Sequence, residues 1–163
     1  MYAIRHYLSA DEKDVYLDWL RKQRGITARI AIDRRVNRAE QGGHKSALAN
    51  IGKTGKGEQA MKDRPHDEAM AEVYREDLAY ALQLLNSILE DGGQSELLMA
   101  LRQMTKAFGG VQAVAEQAHL NPTQLYRTLS PDGNPALSSF SAILKAMGMR
   151  LSVQPIHVST AHA

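Results

Sequence analysis

The stretch GVQAVAEQAHLNPTQLYRTLS, residues 110–130, decides the fold of this chain. Its first half repeats apolar residues at the i, i+3, i+4 and i+7 spacing of one helix face, and these are Val111, Val114, Ala115 and Ala118. Asn121 followed by Pro122 then starts a second helix. The Asn side chain can accept from free N–H groups, and proline in the first helical position loses no needed donor. The stretch therefore predicts two short helices joined by a tight turn at His119.

The second of these helices has the composition of a DNA-recognition helix. Leu125 and Leu129 are predicted to point into the core, which turns hydroxyl, amide, phenol and guanidinium groups outward. Such groups read base edges and hold phosphates in the major groove. The residues expected at the DNA from this helix and its cap are Asn121, Thr123, Gln124, Tyr126 and Arg127. An ordinary helical hairpin is the alternative interpretation of the same pattern.

Helix N-termini near this pair are expected to contact phosphates, because their free N–H groups attract anions. Gln112 lies at the start of the first helix, and Ser138 and Ser139 lie at the start of the helix that follows the pair.

The composition favours a packed, cytoplasmic protein. Of 163 residues, 44% are hydrophobic and 23% charged, which suits a folded core. The absence of cysteine excludes a disulfide scaffold and a cysteine zinc site, and fits a reducing compartment. No apolar run is long enough to cross a membrane. The six histidines lack metal-ligand spacing, and no nucleophile motif is present, so we expect no metal, no cofactor and no enzyme activity.

Charge is sorted along the chain. Residues 1–60 carry 12 Lys and Arg against 7 Asp and Glu, residues 61–94 carry 3 against 8, and residues 95–163 carry 5 against 3. This sorting suggests at least two units of different origin. The last unit is only weakly basic, so we expect it to bind DNA as a dimer that doubles its phosphate contacts.

Residues 1–46 are predicted to form a short strand and two helices. The strand is residues 2–8, which alternate in polarity. A capping box of Ser9 and Glu12 is predicted to open the first helix, which continues to Arg24. The second helix is predicted over 26–40. Their inward residues are expected to be Val15, Trp19 and Leu20 in the first, and Ala28, Ile32, Val36 and Ala39 in the second.

The remaining chain is predicted to be helical after a linker. Residues 42–62 are rich in Gly and Lys, and we set the linker at 47–64. Helices are predicted over 65–75, 77–91 and 95–108. The helix over 77–91 should bury Leu78, Leu82, Leu85 and Leu89. After a turn at 130–133, a helix starting at Asn134-Pro135 should bury Leu137, Phe140, Leu144 and Met147.

The chain changes period after Gly148. Apolar and polar residues then alternate over 150–155, which predicts a single β-strand. A lone strand leaves an open edge, and pairing with the same strand of a second copy would satisfy it. The residues of this predicted dimer contact are Arg150, Leu151, Ser152 and Val153. Pairing with residues 2–8 is the alternative.

The run from about 66 to 156 resembles the HigA-like addiction-module antidotes of bacterial toxin–antitoxin operons. The motifs that carry the resemblance are ALQLLNSILEDG (81–92), QAVAEQAHLNPTQLYRTL (112–129), SPDGNPALSS (130–139) and ILKAMGMRLSVQP (143–155). The resemblance implies a mainly α fold, a λ-repressor-like helix-turn-helix bundle. It also implies a dimer that binds an operator in double-stranded DNA, represses its own operon and neutralises a toxin. One departure is His119, which stands where many such turns have glycine.

Residues 4–46 resemble the opening of the HigB/RelE-like toxins that such antidotes accompany. The sheet that holds the catalytic groups of those toxins does not follow here, so no catalytic residue is carried over. The predicted organisation is a truncated toxin-like segment (1–46), a linker (47–64), an antidote-like DNA-binding domain (65–156) and a disordered tail (157–163).

Two functions follow from the sequence. The first is a DNA-binding regulator that represses its own operon as a homodimer. The alternative is a protein-interaction module whose acidic block, 63–91, clamps a basic HigB/RelE-like toxin, with DNA binding secondary.

Overall fold

Eight helices and two short strands make up the part of the chain that the structure, a computed structural model, describes: residues 4–41 and 62–155. In chain order the elements are β1 (Arg5–Tyr7), α1 (Val15–Arg21), α2 (Ile26–Gln41), β2 (Asp63–Pro65), α3 (His66–Glu76), α4 (Leu78–Asp91), α5 (Gln94–Ala107), α6 (Gly110–Ala118), α7 (Pro122–Thr128) and α8 (Leu137–Ala146). The expected mainly helical class is confirmed. None of these helices combines the length and the apolar character needed to cross a membrane.

Helix α5 lies at the centre of the core. It contacts α2, α3 and α4, and it also contacts α6, which in turn packs on α7 and α8. Leu98, Leu101 and Met104 are fully buried, and buried residues occur on every side of the helix. A helix that is buried all round supports the elements on both of its sides. Helices α6 to α8 and the N-terminal elements are thus positioned by the same helix.

The N-terminal strand has a partner that the sequence analysis did not predict. β1 pairs antiparallel with β2, with His6 opposite Arg64. The pairing uses Asp63 and Arg64, which the sequence analysis placed at the end of a linker. The alternative that the sequence left open, pairing of residues 2–8 with 150–155, is therefore wrong, since 150–155 have no regular secondary structure. The alternation of β1 is confirmed, since His6 is buried between two exposed neighbours. The rest of the predicted linker lies outside the described residues.

Helix α1 begins later than predicted. Asp14 is the cap, and its Oδ1 accepts from the backbone N–H of Leu17 at 2.9 Å. The predicted capping box is wrong: Glu12 has a φ of 60°, which is not helical, and the Ser9 hydroxyl accepts from Lys13 in a turn. Of the residues expected inside only Leu20 is buried. Leu17 joins it, and Val15 and Trp19 are about half exposed.

Helix α2 ends one residue later than predicted and has a different buried face. Ala28 and Ala39 are exposed, and Ile32 and Val36 are only partly buried. The buried residues are Ile30, Asp33, Arg34 and Asn37. Polar groups can be buried when they find hydrogen-bond partners, and the helices that α2 packs against supply these partners.

Helices α4 and α8 also differ in which residues they bury. Of the four leucines predicted inside on α4 only Leu85 is buried, and Leu78, Leu82 and Leu89 are exposed. The buried face is one residue further round the helix and consists of Tyr80, Ala81, Leu84, Leu85 and Ile88. Helix α8 begins at Leu137, three residues after Asn134. Leu137 is 73% exposed because it lies in the first position of the helix, ahead of the buried Phe140, Leu144 and Met147.

The C-terminal strand is not formed in the single chain. Residues 150–155 have no regular secondary structure and are exposed. The predicted tail, 157–163, lies outside the described residues.

Candidate nucleic-acid interface

Helices α6 and α7 occupy the positions predicted for the helical pair. Val114 and Ala115 of α6 are fully buried. The turn between the helices is made by His119, which has the left-handed conformation, with φ of 56° and ψ of 40°. The N–H of Leu120 closes the turn by donating to the carbonyl of Ala115 at 2.9 Å. This closure satisfies a free carbonyl of α6, so histidine fills the position where glycine is usual.

Asn121 fixes the start of α7. Its Oδ1 accepts from the N–H groups of Thr123 at 2.9 Å and Gln124 at 3.1 Å, and Pro122 occupies the first helical position. The predicted start is therefore confirmed in detail. Since the side-chain oxygen of Asn121 is engaged in the cap, this residue contributes by placing α7.

The outer face of α7 is polar and open to solvent. Leu125 and Leu129 are buried, as expected from the spacing. The four predicted contact residues on the helix are exposed, and Tyr126 is 71% exposed. The structure gives their side chains no hydrogen bond or ion pair with another described residue. The exposed side chains are Thr123, Gln124, Tyr126 and Arg127.

The predicted phosphate contacts lie at two other helix starts. Gln112 is exposed in the first turn of α6, Ser138 is exposed in the first turn of α8, and Ser139 is partly buried. The caps of α6 and α8 are Gly109 and Ala136, and neither provides a side-chain hydrogen bond. The first N–H groups of both helices therefore have no side-chain acceptor from the cap, which leaves them suited to an anion.

The predicted dimer residues are not brought together with anything in the single chain. Arg150, Leu151, Ser152 and Val153 are exposed, and Leu151 and Val153 are large apolar side chains left in solvent.

A second constellation, which the sequence analysis missed, lies between α2 and the helices α3 to α5. We call it the buried polar cluster. Its members are Asp33, Arg34 and Asn37 of α2 together with His66, Tyr74, Tyr80, Glu96 and Gln103.

Arg34 is the most heavily bonded residue of the cluster. Its Nε donates to Glu96 Oε1 at 2.7 Å, its Nη1 donates to the Ser87 hydroxyl at 2.8 Å, and Asp91 lies 2.7 Å from Nη1. Its pKa is raised, first because of the hydrogen bond to Glu96. Arg34 is thus buried, whereas Arg35 and Arg38 on the same helix are exposed.

Asp33 and Asn37 lie one turn apart on the same face. The hydroxyl groups of Tyr74 and Tyr80 donate to Asp33 Oδ2 at 3.1 and 3.3 Å. Burial raises the pKa of Asp33 to about 7. Gln103 Nε2 donates to Asn37 Oδ1 at 3.1 Å. These partners come from α3, α4 and α5, so the face of α2 meets polar groups from all three.

Two buried histidines connect the cluster to β1. His6 Nδ1 lies 2.7 Å from Asp14, His6 Nε2 lies 2.7 Å from His66 Nδ1, and His66 Nε2 lies 3.0 Å from Asn37 Oδ1. Burial lowers the pKa of both rings, that of His66 to about 4. Each ring nitrogen thus lies within 3.0 Å of a polar atom, and no group of three His, Asp or Glu side chains within 4–41 and 62–155 is arranged to hold a metal ion.

The cluster escaped prediction because its partners lie far apart in the chain, with Arg34 and Glu96 separated by 62 residues. The one local signal was the set of polar side chains at i, i+1 and i+4 on α2, which share a helix face.

Comparison with known families identifies the helical body. A family model described as probable addiction module antidote protein matches residues 67–155, more than half of the chain. Comparisons with curated proteins and with solved structures give no match. The matched region runs from the start of α3 through the α6–α7 pair to residue 155 and leaves out β1, α1, α2 and β2. The chain belongs to the family of probable addiction module antidote proteins.

Proposed function

We propose that the chain is an antidote-type transcriptional regulator, which binds an operator as a dimer and represses its own toxin–antitoxin operon. The observation that carries the proposal is the outer face of α7. A capped helix presents Thr123, Gln124, Tyr126 and Arg127 to solvent without partners among the described residues. In this proposal α6 and α7 act as a λ-repressor-like helix-turn-helix, with α7 in the major groove.

The contacts divide by chemistry. A guanidinium pairs with guanine and an amide pairs with adenine, so Arg127 and Gln124 are assigned to bases. Thr123 and Tyr126 complete this surface. Gln112, Ser138 and Ser139 are assigned to phosphates, next to the uncapped starts of α6 and α8. The chain acts by binding and not by catalysis.

A dimer follows from the small charge of the DNA-facing unit. Residues 95–163 carry 5 Lys and Arg against 3 Asp and Glu, so one copy neutralises few phosphates. Pairing of residues 150–153 with the same residues of a second copy would double those contacts. Their exposed backbone and the alternation of Leu151 and Val153 support this mode of pairing.

Footprinting tests the proposal directly. The purified chain is titrated onto the DNA upstream of its own gene, and protection of an inverted repeat is expected, with half-sites one helical turn apart or a multiple of it. Protection of a single half-site would contradict the dimer, and no protection at low salt would contradict the operator function.

The second candidate function is neutralisation of a partner toxin. The acidic residues favour it, because residues 61–94 carry 8 Asp and Glu against 3 Lys and Arg. In this proposal residues 4–41 are the remnant of such a toxin. A purified HigB/RelE-like toxin should bind with an affinity that falls as salt rises, and binding that ignores salt would contradict the acidic clamp.

A further inference from the structure

The contact made by residues 4–41, which we call the N-terminal segment, has the character of a protein–protein interface. Interfaces between proteins are enriched in arginine and tyrosine. Here Arg34 is held by Glu96 and Ser87, and Tyr74 and Tyr80 hold Asp33. Asp and Arg are rarely buried inside a single domain, yet α2 buries both.

Ion pairs extend this contact along its whole length. Each joins the N-terminal segment to the chain between 62 and 96, and each has its basic residue on one side and its acidic residue on the other. The pairs are Arg5 with Asp63, Arg21 with Glu72 and Glu76, Arg29 with Asp77, Arg34 with Asp91 and Glu96, and, in the opposite sense, Lys62 with Glu12 and Arg64 with Asp14. In six of these eight pairs the basic residue belongs to the N-terminal segment, so the charges of the two surfaces are largely complementary.

The fit is imperfect on one side only. Four buried side-chain atoms lack a hydrogen-bond partner among the described residues: Tyr16 Oη, Asp33 Oδ1, Asn37 Nδ2 and Glu40 Oε2. All four belong to the N-terminal segment and none to residues 62–155. Polar groups that end up imperfectly paired reduce the net affinity of a contact, so this surface is one from which the segment can be displaced.

The family boundary falls at the same place. The matched region begins at residue 67, so the antidote domain excludes the N-terminal segment that covers it. The twenty residues 42–61 connect the two. A chain of that length spans at most roughly 65 Å, which is long enough for the segment to leave the surface while still attached.

We propose that the surface of α3 to α5 formed by His66, Tyr74, Tyr80, Glu96 and Gln103 is the partner-binding site of the antidote domain, and that the N-terminal segment occupies it in cis. The partner is a separate protein that presents a helix with Asp, Arg and Asn at i, i+1 and i+4, as α2 does. The partner therefore binds the intact chain only by displacing the N-terminal segment, while the DNA-facing helices stay free. This inference rests on the second proposed function, partner binding, and not on operator binding.

The test is exchange in trans. A protease site is inserted within residues 42–61 and cut, and a dye-labelled peptide of residues 1–46 is titrated onto the intact and the cut chain by fluorescence anisotropy. A tether supplies an effective concentration on the order of 1 mM, so the cut chain should take up the peptide at concentrations at least ~100-fold lower than the intact chain.

Two peptide variants report on the surface itself. The peptide with Arg34→Ala should bind the cut chain at least ~10-fold more weakly, because it leaves Glu96 unpaired. The matched peptide with Arg35→Ala should bind like the unaltered one, since Arg35 is exposed.

Three results would overturn the proposal: equal uptake by the intact chain, no uptake by the cut chain, or loss of helical circular dichroism on cutting. The last two would make the N-terminal segment an inseparable part of the fold. Operator footprinting of the same cut chain separates the two functions. If the cut chain takes up the peptide but protects no operator DNA, only the DNA-binding function is refuted. If it protects the operator but takes up no peptide, only the occupied partner site is refuted.

Discussion

At the scale of single residues, Arg127 is the sharpest test of the proposed DNA contact of α7. Its guanidinium is exposed on α7 and belongs to the polar face proposed for the major groove. Replacement by alanine should weaken operator binding by about 1–3 kcal/mol if it pairs with guanine. A gel-shift titration measures this change. Arg35→Ala on α2 removes an equally exposed arginine and should leave operator affinity unaltered, and equal losses in both variants would contradict the assignment.

Arg34 and Arg35 are neighbours in sequence with opposite environments. Arg34→Ala leaves the carboxylate of Glu96 buried without its partner, and breaking a buried pair costs about 3–5 kcal/mol of the free energy of unfolding. Arg35→Ala should change it by no more than about 0.5 kcal/mol, as for other surface substitutions. Urea unfolding of both variants measures the difference. Similar stabilities would mean that Arg34 is not buried as described.

The chemistry at α7 could be predicted at this scale and the cluster around Arg34 could not. Asn121, Pro122 and Leu125 act on neighbours within one helical turn, so their spacing alone determines the cap and the buried side. Arg34 can be buried because Glu96 pairs with its guanidinium, and no local sequence pattern contains that information. Apolar spacing alone therefore assigned α2 the wrong face.

At the scale of elements, the ends of the helices could be predicted from the sequence more accurately than their buried faces. The predicted helices over 26–40 and 77–91 differ by one residue at one end from α2 and α4, and the helix predicted over 95–108 is displaced by one residue from α5. Glycines and polar caps determine these ends locally. Which face of a helix is buried depends on what the helix packs against. On α4 the leucines lie on two neighbouring faces, so their spacing alone did not determine which face is buried.

The two faces of α4 can be separated by a matched pair of substitutions. Leu84 is fully buried and Leu82 is exposed. Leu84→Ala should lower the free energy of unfolding by about 2–5 kcal/mol, because it leaves a cavity, whereas Leu82→Ala should cost less than about 1 kcal/mol. Thermal or urea unfolding measures both. A larger loss for Leu82→Ala than for Leu84→Ala would instead support the buried face predicted from the leucine spacing.

At the scale of the whole molecule, the mainly helical class was predictable and the joining of its two parts was not. Composition and period establish helices, but β2 lies in a stretch that reads as linker. The pairing of His6 with His66 brings together residues 60 positions apart. Only the folded chain shows that the N-terminal segment packs on the antidote domain.

The packing of the N-terminal segment on the antidote domain makes the free energy of unfolding depend on pH. Burial lowers the pKa of His66 to about 4, against an ordinary value of 6.5, and also lowers that of His6. Between pH 6.5 and 4 the unfolded chain takes up protons that the folded chain does not, so the free energy of unfolding falls as the pH falls. Asp33 acts in the opposite sense. Burial raises its pKa from 3.8 to about 7, so the folded chain keeps a proton that the unfolded chain releases.

Removing Asp33 should therefore expose the full effect of the histidines. Asp33→Asn keeps an oxygen for the hydroxyls of Tyr74 and Tyr80 but removes the opposing titration. Its free energy of unfolding should fall more steeply between pH 6.5 and 4.5 than that of the unaltered chain, measured by urea unfolding at several pH values. A shallower dependence in the variant would contradict the opposing roles.

The central position of α5 has a consequence for how this sequence can change over evolutionary time. Every hydrogen bond and ion pair described between the N-terminal segment and the rest of the chain ends between residues 62 and 103, and α6 to α8 take no part in them. Substitutions on the outside of α7 can thus change the surface proposed for the operator while the other half of the molecule keeps its contacts. Helix α5 serves both halves at once, so its residues have the least freedom to vary.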